Sequence, residues 1–254
     1  SDGPKPLAPI QYYARLAQRF INAISAMTGE GGLFEVDMRL RPSGASGPIA
    51  SGLVPFEKYQ STEAWTWEHM ALTRARVICG DAGLKSDFDA AVKRTLTAPR
   101  DPAKLAADII DMRLRMAEQY RTDNIWDLKH LRGGQVDLDF IAQYLQLRYG
   151  HGHPDILAGQ GGQVLERARD LGLLAGDTAD QLIAIGRLWR QIQQMIRLLV
   201  GGKVDEADLR EPTRRHLAQS AGADSFEALK TLIRDKAAVV HAAYHRIVGP
   251  EPSP

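Results

Sequence analysis

The sequence predicts a mainly α fold: one short β-hairpin with helices near the N-terminus, then an all-α helical bundle. Three observations carry this prediction. Apolar residues recur at three- and four-residue steps through most of the chain, the spacing that gives a helix one apolar face. A single stretch, 33–41, instead alternates apolar and charged residues with the period of two that a strand imposes. Glycine and proline clusters punctuate the chain where turns are needed. On this basis residues 1–100 form a first domain with the hairpin, and 101–254 form a helical bundle domain.

The opening Ser1-Asp-Gly-Pro-Lys-Pro-Leu-Ala-Pro9 is too polar and proline-rich for a signal peptide and reads as a linker. Without an initiator Met, it suggests a piece of a longer protein, truncated on its N-terminal side. Tyr13, Leu16, Phe20, Ile24 and Met27 then mark an amphipathic helix over 11–27. Gly29, Gly31 and Gly32 end it and lead into the strand at 33–41. Pro42-Ser-Gly-Ala-Ser-Gly-Pro48 is a turn cluster, after which 48–54 returns as the partner strand. Two strands are not stable alone, so either helix 11–27 covers the hairpin or further strands lie upstream.

Beyond Val54 the pattern is helical: a run from Phe56 to Ile78, then 84–97, 102–121, 137–149, 160–173, 178–200, 206–220 and 224–248. In the 178–200 helix, Leu182, Ile185, Trp189, Ile192, Ile196 and Leu199 form a continuous stripe that reads as bundle core.

Composition excludes several function classes. Apolar residues make up 44% of the 254, enough for a real core, and 32 basic residues face 31 acidic ones. No global field therefore recruits nucleic acid or a membrane surface. No apolar run reaches the roughly 18–20 residues that span a bilayer. The single cysteine, Cys79, cannot form an internal disulfide, which fits a cytoplasmic protein. Balanced charge and the lack of a coiled-coil seam point to a monomer.

Two clusters carry candidate chemistry. In the 33–41 strand, Glu35, Asp37, Arg39 and Arg41 share one face, opposite Phe34, Val36, Met38 and Leu40, and the stretch ends in Pro42-Ser43-Gly44. Carboxylates beside guanidinium groups suit a site that holds a divalent metal and a polyphosphate together. The competing reading is a solvated edge strand laced by salt bridges. The second cluster is Asp127-Leu-Lys-His-Leu-Arg-Gly-Gly-Gln-Val-Asp-Leu-Asp-Phe140. Gly133 and Gly134 can bring backbone amides to an anion at a helix N-terminus, with Lys129 and Arg132 adding positive charge. Asp137 and Asp139 are either metal ligands or first-turn acids of the next helix, and the glycines are otherwise a tight interhelical turn. His151 and His153 form a loop pair without further close ligands and read as surface residues.

Taken in order, Phe34-Glu-Val-Asp-Met-Arg-Leu-Arg-Pro-Ser-Gly44, Glu63-Ala-Trp-Thr-Trp-Glu-His69, Arg74-Ala-Arg-Val77 with Gly80-Asp81, and Asp127-Leu-Lys129, Gly133-Gly134 and Asp137-Leu-Asp-Phe-Ile-Ala-Gln-Tyr-Leu-Gln-Leu147 closely resemble the glutamine synthetase adenylyltransferase family. The resemblance runs from about Tyr12 to about Val200. Members of this family attach AMP from ATP to a tyrosine of glutamine synthetase and remove it, under control of a PII signal protein and glutamine. Ser43 and the tryptophan run resemble the C-terminal, adenylylating half. The resemblance implies a polymerase-β-like nucleotidyltransferase domain with two Mg²⁺ ions held by three carboxylates. Asp37 corresponds to the third carboxylate, catalytic and metal-binding. Arg39, Arg41, Ser43, Gly44, Lys129, Gly133 and Gly134 are candidates for nucleotide or phosphate binding, and Asp137 is a second candidate metal ligand.

The departures are informative. The family's other two carboxylates sit in a glycine-serine and Asp-x-Asp motif on the preceding strand, and none occurs here before Asp37. The family also favours glutamate where Asp139 stands. A lone carboxylate cannot hold two metals, so the chain by itself is expected to be inactive. Two alternatives remain: a non-catalytic helical regulatory module responding to PII protein or glutamine, and a plain helical scaffold with a surface hairpin.

Overall fold

The computed structural model describes residues 6–32 and 34–251, which divide into two compact units between Thr95 and Leu96. The fold is mainly α, as the periodicities predict, and the described β structure is one two-stranded antiparallel sheet. No described helix is long and apolar enough to cross a membrane.

The first unit opens with α1 (Pro9–Ile24), started by a proline in its first turn, where a missing N–H leaves no helical bond unmade. Its apolar stripe is unburied: Tyr13, Leu16 and Phe20 are each at least half exposed. A minimal hairpin follows. β1 (Met27–Thr28) pairs with β2 (Gly31–Gly32), Met27 opposite Gly32 and Thr28 opposite Gly31. Gly31, at φ +95°, makes the reversal possible, and the Thr28 hydroxyl donates to the Gly31 carbonyl at 2.9 Å.

The hairpin therefore lies earlier than the alternation predicts. Residue 33 falls outside the described residues. Over 34–41 no strand forms, nor does a return strand form over 48–54. A strand needs a neighbour for its backbone N–H and C=O groups. Here the segment satisfies them locally, through Asp37 and Arg41, and the face that was to meet a core stays open, with Phe34 and Leu40 both more than 60% exposed.

Helix α2 (Leu53–Thr62) starts where the return strand was expected, and α3 (Thr66–Leu72) follows, so the predicted 56–78 run is broken. The Glu63 and Ala64 amides both turn back to the Tyr59 carbonyl at 2.9 and 3.0 Å, closing α2. The Glu68 carboxylate accepts from the Trp65 N–H at 2.9 Å and opens α3. Helix α4 (Ala82–Leu96) is capped by Asp81, which accepts from the Gly83 and Leu84 amides, and packs on α2 through Phe56 and Phe88, ring centroids 5.4 Å apart.

The second unit holds α5 (Pro102–Gln119), α6 (Gln135–Tyr149), α7 (Gly162–Asp170), α8 (Gly176–Leu199), α9 (Glu211–Ser220) and α10 (Phe226–Ile247). Asp101 caps α5 through the Ala103 amide at 2.8 Å, and Ser225 caps α10 through the Ala228 amide at 3.1 Å. The predicted helix over 206–220 divides into a 3₁₀ turn, Glu206–Asp208, and α9. Pro212 supplies the reason: it has no N–H to give the Asp208 carbonyl, so a helix cannot run through unbroken, and it sits instead in the first turn of α9, where the missing N–H costs nothing.

Helix α6 is the axis of this unit, packed against α5, α7, α8 and α10. It is buried on nearly every side from Val136 to Leu147, which explains why its sequence shows little amphipathic contrast. On α8, Leu182, Ile185, Trp189, Ile192 and Ile196 are buried as the stripe predicts, whereas Leu199 at the helix end is exposed.

Candidate functional site

The expected site residues fall in both units. Asp37, Arg39, Arg41, Ser43 and Gly44 share one loop of the first unit. Lys129, Gly133, Gly134 and Asp137 belong to the second.

The loop is built around two arginines. Arg39 folds back on Asp37: its backbone N–H donates to Oδ1 at 2.9 Å, its Nε to both oxygens at 3.0 and 3.1 Å, and an Nη to Oδ2 at 2.7 Å. These bonds hold the Asp37 carboxyl at a pKa of about 2, so it is anionic throughout the neutral range. The pair is open to water. Arg41 does the opposite and turns inward, donating to the carbonyls of Met38, Ala45 and Gly47. It thus closes the loop, leaving Ser43 in the left-handed region at φ 60° and Gly44 at φ 53°. With its donors on backbone oxygens, Arg41 organises the Pro-Ser-Gly turn in this conformation.

The tryptophan motif lies beside this loop. The Tyr59 hydroxyl donates to Glu68 Oε1 at 2.8 Å, and the Ser43 backbone is close enough to act on it. Partial burial and the neighbouring Glu68 push the Tyr59 hydroxyl pKa upward. The other Glu68 oxygen caps α3, so one carboxylate joins α2 and α3. The sequence carried a signal for this role, an acid three residues after the Trp65 start of a helix. We expect Glu68→Ala to destabilise the first unit by about 1–2 kcal/mol and to speed hydrogen exchange at the Trp65 amide, which Glu68 caps. Unchanged exchange at Trp65 would remove the capping role.

The glycine cluster corrects the reading made from its spacing. The Gly133 N–H donates to Asp137 Oδ2 and the Gly134 N–H to the Leu131 carbonyl at 2.8 Å, so neither amide is free to meet a phosphate. Gly133, at φ +80°, lies directly against the backbone of Ala237 in α10, and its carbonyl accepts from Trp189 Nε1 at 3.2 Å. Close helix packing explains both glycines. Asp137 is likewise engaged on both oxygens, by Gly133 and by Arg113 Nε, in an ion pair whose side chains are 1% and 2% exposed. A metal ion there would meet two donors in place of open lone pairs, with Arg113 beside it. Lys129 is solvent-exposed. The partner the sequence did not reveal is Arg113, an arginine on the buried face of α5. His151 is held by the Thr97 carbonyl at 3.0 Å.

Residues 1–91 match the family model described as Glutamate-ammonia ligase adenylyltransferase. Residues 104–248, more than half of the chain, match that described as GlnD PII-uridylyltransferase. Among curated proteins, the bifunctional glutamine synthetase adenylyltransferase/adenylyl-removing enzyme of Rhodopseudomonas palustris (strain TIE-1) is 43% identical over 251 residues, 99% of this chain. The chain belongs to the glutamine synthetase adenylyltransferase family. Similarly named proteins of Bradyrhizobium diazoefficiens and Xanthobacter autotrophicus are 42% and 43% identical, each over 98% of the chain. The chain spans 25% of the length of each of these relatives.

Within this family framework, the donor set can be tested against Mg²⁺. Asp37 offers one carboxylate, already paired with Arg39. No group of three or more His, Cys, Asp or Glu placed to hold a metal exists among the described residues. The residues present do not by themselves fit a two-metal site.

Proposed function

We propose that this chain is part of an enzyme that adenylylates a tyrosine of glutamine synthetase from ATP, and that it belongs to the C-terminal, adenylylating half. The observation that carries this is the identity of 43% with a glutamine synthetase adenylyltransferase across almost the whole chain. In this reading Asp37 supplies one of the carboxylates that hold Mg²⁺, and Arg39 exchanges its present partner for phosphate oxygens. The other carboxylates come from residues outside this chain, so the chain alone is inactive. The enzyme would act in the cytoplasm, with this segment monomeric.

The test is transfer of label from α-³²P-ATP to glutamine synthetase with Mg²⁺ and glutamine present. This chain would be compared with a version extended upstream, each with and without Asp37→Asn. Label is expected only from the extended, unmutated protein, with the substitution lowering transfer at least about a hundredfold. Robust labelling by the chain alone would refute its inactivity, and label surviving Asp37→Asn would remove Asp37 from the site.

A second reading is favoured by the match of 104–248 to a PII-uridylyltransferase model. Here the helical unit is a regulatory module that responds to PII protein or glutamine. Direct binding of PII protein to the chain, unaffected by Asp37→Asn, is its expected signature.

A further inference from the structure

The second unit contains a cleft of about 450 Å³ formed by the segment after α5, the end of α8 and the loop after it. Tyr120, Arg121, Asp127 and His130 line one side, Lys203 and Ile196 the other. Its walls are tied together. Asn124 Nδ2 donates to the Val204 carbonyl at 2.9 Å, and Trp126 Nε1 donates to Glu206 Oε1 at 2.9 Å. Arg121, on the segment that carries Asn124, and Lys203, next to Val204, both line this opening.

The charges around this opening are unequally satisfied. Glu206 is paired with Lys230 at 2.8 Å as well as Trp126, which lowers its pKa, and Asp127 is met by the His130 ring at 3.2 Å. Arg121 and Lys203 are exposed and make no hydrogen bond or ion pair among the described residues. Among the lining residues two cations, Arg121 and Lys203, stand against one carboxylate, Asp127, so the lining carries an excess of one positive charge. The aromatic wall adds a shape. Tyr120 stacks on His130 with centroids 4.4 Å apart and planes 7° from parallel, and remains 42% exposed where it lines the cleft. The volume lies within the roughly 300–1,000 Å³ of small-molecule sites.

We propose that this cleft binds a small organic anion that carries a flat ring, of the mononucleotide class: the ring extends the His130–Tyr120 stack, and Arg121 and Lys203 hold the phosphate. The site is separate from the loop around Asp37 and does not rest on the function proposed above. A ligand there would join the segment after α5 to the loop after α8, stiffening one end of the bundle.

The test is calorimetric titration of the 254-residue chain with AMP, with adenosine and inorganic phosphate as separate probes. AMP is expected to saturate one site, and each probe fragment to bind at least tenfold more weakly. Arg121→Gln and Lys203→Gln should each weaken AMP about tenfold, the loss of one charge-assisted contact. Tyr120→Leu should also weaken it, while Tyr120→Phe, which keeps the ring, should not. Circular dichroism melts would verify that the variants fold. Phosphate binding as tightly as AMP, affinity unmoved by the two cation substitutions, or loss of binding in Asp37→Asn would each overturn the proposal.

Discussion

Gly133→Ala is expected to destabilise the helical unit by about 3–5 kcal/mol, combining left-handed backbone strain of about 1–2 kcal/mol with a steric clash that well-packed interiors tolerate poorly. A Cβ at this position would fall within 2.8 Å of Ala237 Cα, and closer still to the Ala237 carbonyl. The obstacle is backbone of α10, buried on both sides of the contact by Ile233, Val240 and Tyr244, so no side-chain rotation relieves it. Either α10 moves away from α6 or the 131–134 turn is lost, and the Gly133 bonds to Asp137 and Trp189 are lost with it. A suitable control is Gly201→Ala. Gly201 also has a positive φ, +75°, but open space around it, so it bears the conformational cost alone, about 1–2 kcal/mol. Urea melts of the two variants, followed by helical circular dichroism, separate strain from collision. Equal losses would mean that the α10 backbone does not sit against Gly133.

This contrast also shows where the sequence was legible. Helices with one wet face announced themselves: Leu182, Ile185, Trp189, Ile192 and Ile196 recur at helical spacing because α8 has solvent on its other side. The α6 helix offered much less to read, since a helix buried all round has little periodic contrast. The alternation over 34–41 was present in the residues and still produced no strand, because period two specifies which way side chains face and cannot supply a neighbouring strand. Asp37 and Arg39, two apart, were read as neighbours on one face. In the fold they are closer than a strand allows, since Arg39 bends back to bind the carboxylate. The Gly133-Gly134 pair carried a real signal of close backbone approach, but sequence alone does not say whether phosphate or another helix approaches. Arg113 was invisible for a similar reason: an arginine in an amphipathic helix is ordinarily solvated, and only packing reveals a buried one.

That buried arginine sets the second large expected effect. Arg113 and Asp137 are almost fully enclosed, so removing one partner leaves the other charge uncompensated, at a cost of about 3–5 kcal/mol. Asp137→Asn should be nearly as damaging as Asp137→Ala, for a geometric reason. Both neighbours of the carboxylate, Arg113 Nε–H and Gly133 N–H, are donors. An amide presents one acceptor and one donor, so either orientation turns an N–H toward an N–H. Arg113→Met is expected to cost less than Asp137→Ala, because the Gly133 amide still serves the carboxylate and the Arg132 guanidinium lies close enough to act on it. Removing both charges in Arg113→Met/Asp137→Leu takes away the two desolvated ions together and leaves mainly the Gly133 N–H without a partner, about 1–3 kcal/mol. The double variant should therefore be more stable than Asp137→Leu alone, with a coupling energy of about 2–3 kcal/mol in a double-mutant cycle of Arg113→Met and Asp137→Leu from urea melts. Additive single losses would mean that the two groups act independently. The helix junction would then be held by Gly133 and Trp189 alone, and the Asp137 carboxylate would need another explanation for its burial.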